Sequence, residues 1–295
     1  VDLLKETKDW CEKYDIIPAR SKGQNFLIDE SVYHKIVTTA DLRPDDIVLE
    51  VGPGFGFLTE QLAKRVKQVI AVELDDKLAE ILKERLTAEK IENVEIVNED
   101  ILEVRSEKLE VRSNEYKIVA NLPYNISSRF LRQFLGSDQL RPKMMVLMLQ
   151  KEVAARVAAK PGEMSLLAVS VQFFCQPEII SLVPKTAFWP APEVDSAIMK
   201  LEVRSKESEA KSVKLEGGNE KDFFRLVKIG FSARRKKLLN NLAAGYRIGK
   251  PEALAAVLAA GLSENVRPQD LSVADWIKLF KIREFKFWGL YRTVN

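Results

Sequence analysis

Short apolar runs and amphipathic segments alternate along much of the chain. Asp46–Val51, Gln68–Glu73, Asn93–Asn98, Tyr116–Ala120 and Met144–Leu149 are brief stretches rich in Val, Ile and Leu that stop at turn-forming residues. This is the pattern of strands buried on both faces. Between them, Phe57–Arg65, Lys77–Leu86, Ser127–Leu135 and Lys151–Ala158 read as helices. Two further helices, Asp2–Tyr14 and Ser31–Ala40, precede the first strand, with Ser31 in the position of an N-cap. This alternation of strands and helices predicts an α/β fold with a mostly parallel, doubly wound sheet. Glu178–Val183 and Val194–Val203 read as two more strands, a hairpin pair at one edge.

After Val203 the pattern changes. Arg204–Glu220 is polar, charged and Gly-containing, as a linker or long loop is, and helical patterns follow at Lys221–Gly230, Arg234–Ala244, Pro251–Ala260 and Leu271–Ile282. The chain is therefore expected to divide near residue 204 into a sheet-bearing domain, 1–204, and a smaller all-helical domain, 205–295. A length of 295 residues suits two domains.

Charge sharpens that division. Residues 72–110 hold thirteen acids and six bases, whereas residues 221–250 hold nine bases and one acid. A basic helical segment of this density suits a polyanion, and Arg234-Arg235-Lys236-Lys237 is its core. With one histidine, His34, and two cysteines, Cys11 and Cys175, the composition disfavours histidine-based triads, metal clusters and a disulfide framework. No apolar run approaches a membrane span, and residues 1–14 lack a signal-peptide core, so a soluble cytoplasmic protein without a metal is expected.

The chemistry concentrates where strands end. At Lys117–Ser128 an apolar strand gives way to Asn121-Leu122-Pro123-Tyr124. Pro123 fixes its own backbone and keeps Leu122 out of the helical region, so the chain must leave the strand in a stiff turn. A helix starting near Asn125 or Ser127, both suited to capping, would then present an amide, a main-chain carbonyl and an aromatic ring at the carboxyl edge of the sheet. The tetrapeptide resembles the (Asn/Asp)-(Pro/Leu/Ile)-Pro-(Tyr/Phe) motif of methyltransferases acting on exocyclic amino groups such as adenine N6. That nitrogen is a poor nucleophile because its lone pair is delocalised. Asn121 and the Leu122 carbonyl can each accept one N6 hydrogen and draw it toward a tetrahedral geometry, while Tyr124 stacks on the extruded base.

Glu50-Val51-Gly52-Pro53-Gly54-Phe55-Gly56 directly follows the first of the five strands. Gly52 and Gly54 let backbone amides approach a ligand closely. Such a turn could also serve NAD, but its G-x-G-x-G spacing departs from the dinucleotide pattern and favours a ligand without a pyrophosphate. Glu73, ending the next strand, is placed to accept hydrogen bonds from ribose hydroxyls. Asp100, after the third, can accept one from an adenine amino group.

Together these stretches closely resemble the KsgA family of small-subunit ribosomal RNA adenine dimethyltransferases. The resemblance extends through Gln24-Asn25-Phe26-Leu27, Gln150-Lys151-Glu152-Val153-Ala154, Phe188-Trp189-Pro190-Ala191-Pro192-Glu193-Val194-Asp195-Ser196, Phe231–Leu238 and Arg267–Ser272. It implies a Rossmann-like S-adenosylmethionine-dependent methyltransferase sheet with a smaller all-helical C-terminal domain that binds RNA. It further implies that Asn25, Leu27, Gly52, Glu73, Asp100 and Asn121 contact S-adenosylmethionine. Asn121, Leu122, Pro123 and Tyr124 would hold the target amine, with Phe188 on the other face of the adenine. The implied substrate is a pair of adjacent adenosines in a hairpin loop near the 3′ end of small-subunit rRNA, each receiving two methyl groups. The implied partner is the small ribosomal subunit or its precursor, met by a monomer. Two alternatives are a large-subunit rRNA adenine methyltransferase of the antibiotic-resistance type and a non-catalytic assembly factor. The 160–165 loop, Trp189 beside Phe188 and the aromatic tail from Phe285 to Arg292 depart from the family pattern.

Overall fold

The computed structural model describes residues 2–18, 24–104, 106–109, 111–112, 115–137, 139–204 and 220–282. The basic stretch 20–23, most of the expected linker and the aromatic tail lie outside these residues. The chain divides into two compact units, Val1–Ala155 with Cys175–Arg204, and Arg156–Phe174 with Ser205–Asn295. The composition change near residue 204 marks one crossing between them. The crossings near 155 and 175 leave no trace in composition.

The first unit opens with α1 (Leu3–Lys13), β1 (Phe26–Leu27) and α2 (Glu30–Thr39). The alternating series follows: β2 (Ile47–Val51), α3 (Phe57–Ala63), β3 (Gln68–Val72), α4 (Asp76–Ala88), β4 (Val94–Val97), α5 (Ser106–Leu109), β5 (Lys117–Asn121), α6 (Ser127–Leu135), β6 (Met144–Gln150) and α7 (Lys151–Val157). In the second unit α8 spans Leu166–Gln172, and the chain then returns to the first for β7 (Cys175–Val183), β8 (Phe188–Trp189) and β9 (Ser196–Val203).

Seven strands form one sheet in the order β4-β3-β2-β5-β6-β9-β7. β2 to β6 are mutually parallel where they pair, β9 runs antiparallel to β6, and β7 runs antiparallel to β9 at the edge. The expected doubly wound sheet and edge hairpin are both present. β7 begins earlier than the Glu178 read from sequence, and a bulge between Ile179 and Ser181 interrupts its period. Strand order reverses between β2 and β5, so a crevice opens there at the carboxyl edge.

Local chemistry corrects two caps. Asp29, not Ser31, caps α2: its carboxylate accepts from the Ser31 amide at 2.9 Å and the Ser31 hydroxyl at 2.6 Å. A charged acceptor in extended backbone, two residues earlier, starts the helix first. Ahead of α6 the N-cap is Ile126, with no side-chain cap. Ser127 is buried and its hydroxyl donates instead to the carbonyls of Pro123 and Tyr124, so it braces the turn rather than capping the helix.

At the opposite, amino end of the sheet, an ion network joins three strands. Asp46, just before β2, pairs with Lys117 of β5 at 2.8 Å and with Lys143 just before β6. Lys117 also donates to the carbonyls of Ala40 and Asp41. Burial by itself would raise the Asp46 carboxyl. Hydrogen bonds from Lys117, Lys143 and the Arg43 amide outweigh burial and hold its pKa below the ordinary 3.8.

In the second unit, α9 (Glu220–Gly230), α10 (Leu238–Tyr246), α11 (Lys250–Ala259) and α12 (Val273–Lys281) correspond to the four predicted helices. One start moves. Arg234–Lys237 lies in the connection before α10, not inside it, because the chain first makes a 3-10 turn at Phe231–Ala233. Phe173 stacks on Phe223 with centroids 4.7 Å apart, and Phe223 meets Phe280 edge-on at 5.6 Å, which gives the apolar α8 a core to join.

Asp46→Asn is expected to lower the unfolding free energy at pH 7 by about 3–5 kcal/mol, because it strands the buried Lys117 ammonium. A depressed carboxyl contributes its full stability above the unfolded pKa and loses it as pH falls through the folded value. Urea titrations of wild type and variant should therefore differ at pH 7 and converge well below pH 3.8.

Candidate active site

A cavity of about 280 Å³ opens at the carboxyl ends of the first unit's strands, where strand order reverses. Its walls are the segment around β1, the glycine turn after β2, the ends of β3 and β4, and the turn after β5. Asn25, Leu27, Gly52, Gly54, Glu73, Asp100, Asn121, Leu122, Pro123 and Tyr124 all line it. These residues span 99 positions of sequence; parallel strand packing gathers those from Gly52 to Tyr124, and the antiparallel pairing of β1 with β8 adds Asn25 and Leu27.

The glycine turn is built around Glu73. Glu73 is buried, and one carboxylate oxygen accepts from the Gly54 amide at 3.1 Å while the other accepts from the Asp75 amide at 3.0 Å. Gly54 meets that oxygen with φ +56°, a conformation that disfavours a side chain. Gly56 ends the turn at φ +82°, and a Cβ there would lie 2.4 Å from Leu82 of α4. Burial raises the Glu73 carboxyl, and the Asp75 and Gly54 amides pull it back. The acid thus shapes the loop as well as facing the cavity.

Glu50 lies beneath, almost wholly buried, with Oε2 lacking a hydrogen-bond partner among the described residues. Burial pushes its pKa up to about 8; the Thr59 hydroxyl opposes this and the Glu73 carboxylate adds to it. Asp100 Oδ1 accepts from the Leu102 amide at 2.8 Å, and Oδ2 has no partner among the described residues. Beside Glu50, which burial keeps largely neutral at pH 7, the lining holds four acids (Glu73, Asp75, Glu99 and Asp100) and no lysine or arginine among the described residues. Such a wall suits a cationic ligand and repels a pyrophosphate.

Opposite stands the turn after β5. Its proline packs on the glycine turn: a Cβ on Gly52 would lie 3.6 Å from Pro123 Cδ. Among the described residues the Asn121 side chain makes no hydrogen bond and the Leu122 carbonyl accepts none, so both polar groups remain available. Tyr124 is half-buried, and its hydroxyl lies 2.6 Å from Ser196 Oγ.

Two-residue strands seal the side of the cavity. Phe26 and Leu27 of β1 pair with Trp189 and Phe188 of β8, and Tyr33 donates to the Leu27 carbonyl at 2.9 Å. Phe188 is not among the lining residues; it is buried in the core cluster behind Leu27. Sequence reasoning assigned no site role to Phe26, Tyr33, Leu74, Ile101 or Asn125, all of which line the cavity. Phe26 lies within a motif and Leu74, Ile101 and Asn125 beside one, whereas Tyr33 carries no sequence signal.

The basic run lies in the second unit. Arg234, Arg235, Lys236 and Lys237 are exposed, and Arg234 donates to the Glu163 carbonyl at 3.3 Å. Asn241, buried, donates to the carbonyls of Gly230 and Ala233 and so fixes the turn that displays them. Gly230 is required there by close packing, since a Cβ would lie 2.2 Å from the Trp276 ring.

Comparison with known proteins agrees with this geometry. The family described as "Ribosomal RNA adenine dimethylase" matches residues 19–284. The "Ribosomal RNA small subunit methyltransferase A" of Dehalococcoides mccartyi (strain CBDB1) is 46% identical over 94% of this chain and 92% of its own length. Among solved structures, a dimethyladenosine transferase from Plasmodium falciparum superposes with TM-score 0.72 at 29% identity, covering 86% of this chain and 95% of that one. The 23S rRNA methyltransferase ErmE does so with TM-score 0.69 at 30% identity, covering 87% and 98%. A Rossmann-like sheet that ends in these two turns, matched over nearly its whole length, belongs to the ribosomal RNA adenine dimethylase family.

Proposed function

We propose that this protein dimethylates N6 of two adjacent adenosines in a hairpin loop near the 3′ end of small-subunit rRNA, using S-adenosylmethionine. The observation that carries this reading is the pairing of two uncommitted acceptors, the Asn121 amide and the Leu122 carbonyl, with an acid-lined cavity beside them. The higher identity to a small-subunit methyltransferase than to ErmE favours the small-subunit substrate over the large-subunit alternative.

The cavity's chemistry fits the cofactor. Its acids suit a molecule that carries a sulfonium and an ammonium. Glu73 would take the ribose hydroxyls and Asp100 Oδ2 the adenine amino group, with Asn25, Leu27, Gly52 and Gly54 closing around them. When bound, the cofactor supplies an already activated methyl group, so no strong base is needed. Asn121 and the Leu122 carbonyl accept the two N6 hydrogens and orient the nitrogen lone pair. Pro123 holds their spacing, and Tyr124 stacks on the base, with Phe188 supporting the wall behind. Hairpin-loop bases suit this chemistry because unstacking costs least where pairing is absent. The first unit is thus the catalytic domain. The second, with Arg234, Arg235, Lys236 and Lys237 exposed on a braced turn, is the RNA-binding domain. The protein acts as a cytoplasmic monomer; among the described residues no helix is long and apolar enough to cross a membrane.

Mass spectrometry of rRNA from unmethylated ribosomal subunits incubated with protein and labelled cofactor tests the reading. Dimethyladenosine is expected at adjacent positions of small-subunit rRNA; its appearance only in large-subunit rRNA would reverse the substrate assignment. Glu73→Ala should weaken S-adenosylmethionine binding by about 1.5–3 kcal/mol, measured by calorimetry, through loss of a charged acceptor and of the Gly54 anchor. Asn121→Ala should nearly abolish kcat while RNA affinity stays close to normal, since its contact strengthens as the nitrogen attacks. Replacing Arg234, Arg235, Lys236 and Lys237 by Ala should weaken RNA binding and flatten its dependence on salt, read from binding isotherms at several ionic strengths. An unchanged slope would return this run to an ordinary solvated surface.

A further inference from the structure

The turn after β5 is anchored at both ends of its tyrosine. At the backbone end, Ser127 donates to the carbonyls of Pro123 and Tyr124. At the ring end, the Tyr124 hydroxyl reaches Ser196 Oγ at 2.6 Å. Ser196 has no exposed surface. It is the first residue of β9, in register with Gln150 of β6 on one side and Val183 of β7 on the other. Two flanking strands therefore fix its position, and Asp195 before it accepts the Lys151 amide through its carbonyl and the Lys185 amide through its carboxylate, both at 3.0 Å.

We propose that Ser196 is a positioning residue for methyl transfer: it holds the Tyr124 hydroxyl so that the ring stands at one fixed orientation over the place where the target adenine stacks. This rests on the reading of Asn121–Tyr124 as the target-amine site. Stacking itself needs only an aromatic face, which phenylalanine would also supply. What the hydroxyl adds is orientation. A half-buried ring without a tether is free to shift within its rotamer well, and a purine lying on it shifts too, moving N6 relative to Asn121 and the Leu122 carbonyl. Displacements of this kind, on the order of 1 Å, are costly to a reaction that depends on alignment. Burial raises the Tyr124 phenol and the Ser196 hydrogen bond opposes this, so the phenol stays protonated and serves as a tether rather than a base.

The test uses the full chain with unmethylated small ribosomal subunits and labelled S-adenosylmethionine. Ser196→Ala and Tyr124→Phe should each lower kcat about tenfold, the factor that loss of one hydrogen-bond-strength ordering contact supports, with KM for the subunits changed far less. The double variant should fall no further than either single one. Cofactor affinity, by calorimetry, should be unchanged. A short RNA hairpin carrying 2-aminopurine at the first loop adenosine gives a readout independent of turnover: fluorescence quenching on binding should diminish in both variants. Unchanged kcat in folded Ser196→Ala, or a second full loss when it is added to Tyr124→Phe, would overturn the proposal. Should Ser196→Ala fail to fold, Tyr124→Phe removes the same contact from the other side, and unchanged kcat there overturns it equally. Tyr124→Ala separates this from the parent reading: full activity in that variant would mean that the ring does not hold the adenine at all.

Discussion

The site depends on one packing constraint, the parallel pairing of β2 with β5. Val48 stands opposite Lys117 and Leu49 opposite Ile118, so both strands end at the same edge of the sheet. There the glycine turn and the Asn121–Tyr124 turn meet, with Pro123 against Gly52. Strand order reverses at this pair, so the α3 and α6 crossovers pack to opposite sides and leave a crevice between them. A one-residue change of register would separate the two turns by about 3.3 Å.

Charge is arranged along the same axis. The amino end of the sheet carries the buried Asp46 network, in which every carboxylate oxygen and both lysines find partners. The carboxyl end carries acids only partly satisfied: among the described residues neither the buried Glu50 Oε2 nor Asp100 Oδ2 has a hydrogen-bond partner. Burying such groups without partners costs free energy, and a ligand with hydroxyl and amino donors recovers that cost on binding. Stability is concentrated at one end and binding capacity at the other.

Glu73 connects the two roles. Its carboxylate already organises the glycine turn through Gly54 and Asp75, and its backbone carbonyl accepts from Asn98 at 2.9 Å, which ties the ends of β3 and β4 together. A ligand that binds Glu73 therefore meets a loop already in place, and less ordering entropy opposes binding.

Much of this was determined by sequence alone. Buried parallel strands are continuous apolar runs, so β2 to β6 could be read within about a residue at most ends, and the motifs at their carboxyl ends identified Gly52, Gly54, Glu73, Asp100 and Asn121–Tyr124 as site candidates. The tertiary structure decided what depends on contacts distant in sequence. Local pattern could not show that Asp29 rather than Ser31 caps α2, because both residues are competent and only the helix start chooses. Nor could it place α8 with the C-terminal helices, since Phe223 and Phe224, the aromatic partners of its C-cap Phe173, lie about 50 residues away. β1 and β8 are too short for any periodicity, yet their pairing puts Leu27 on the cavity and buries Phe188 behind it. The partnership of Tyr124 with Ser196 spans 72 positions and exists only because β9 inserts beside β6. Patterning records which face of an element is buried; it carries no information on which distant residue that face will meet.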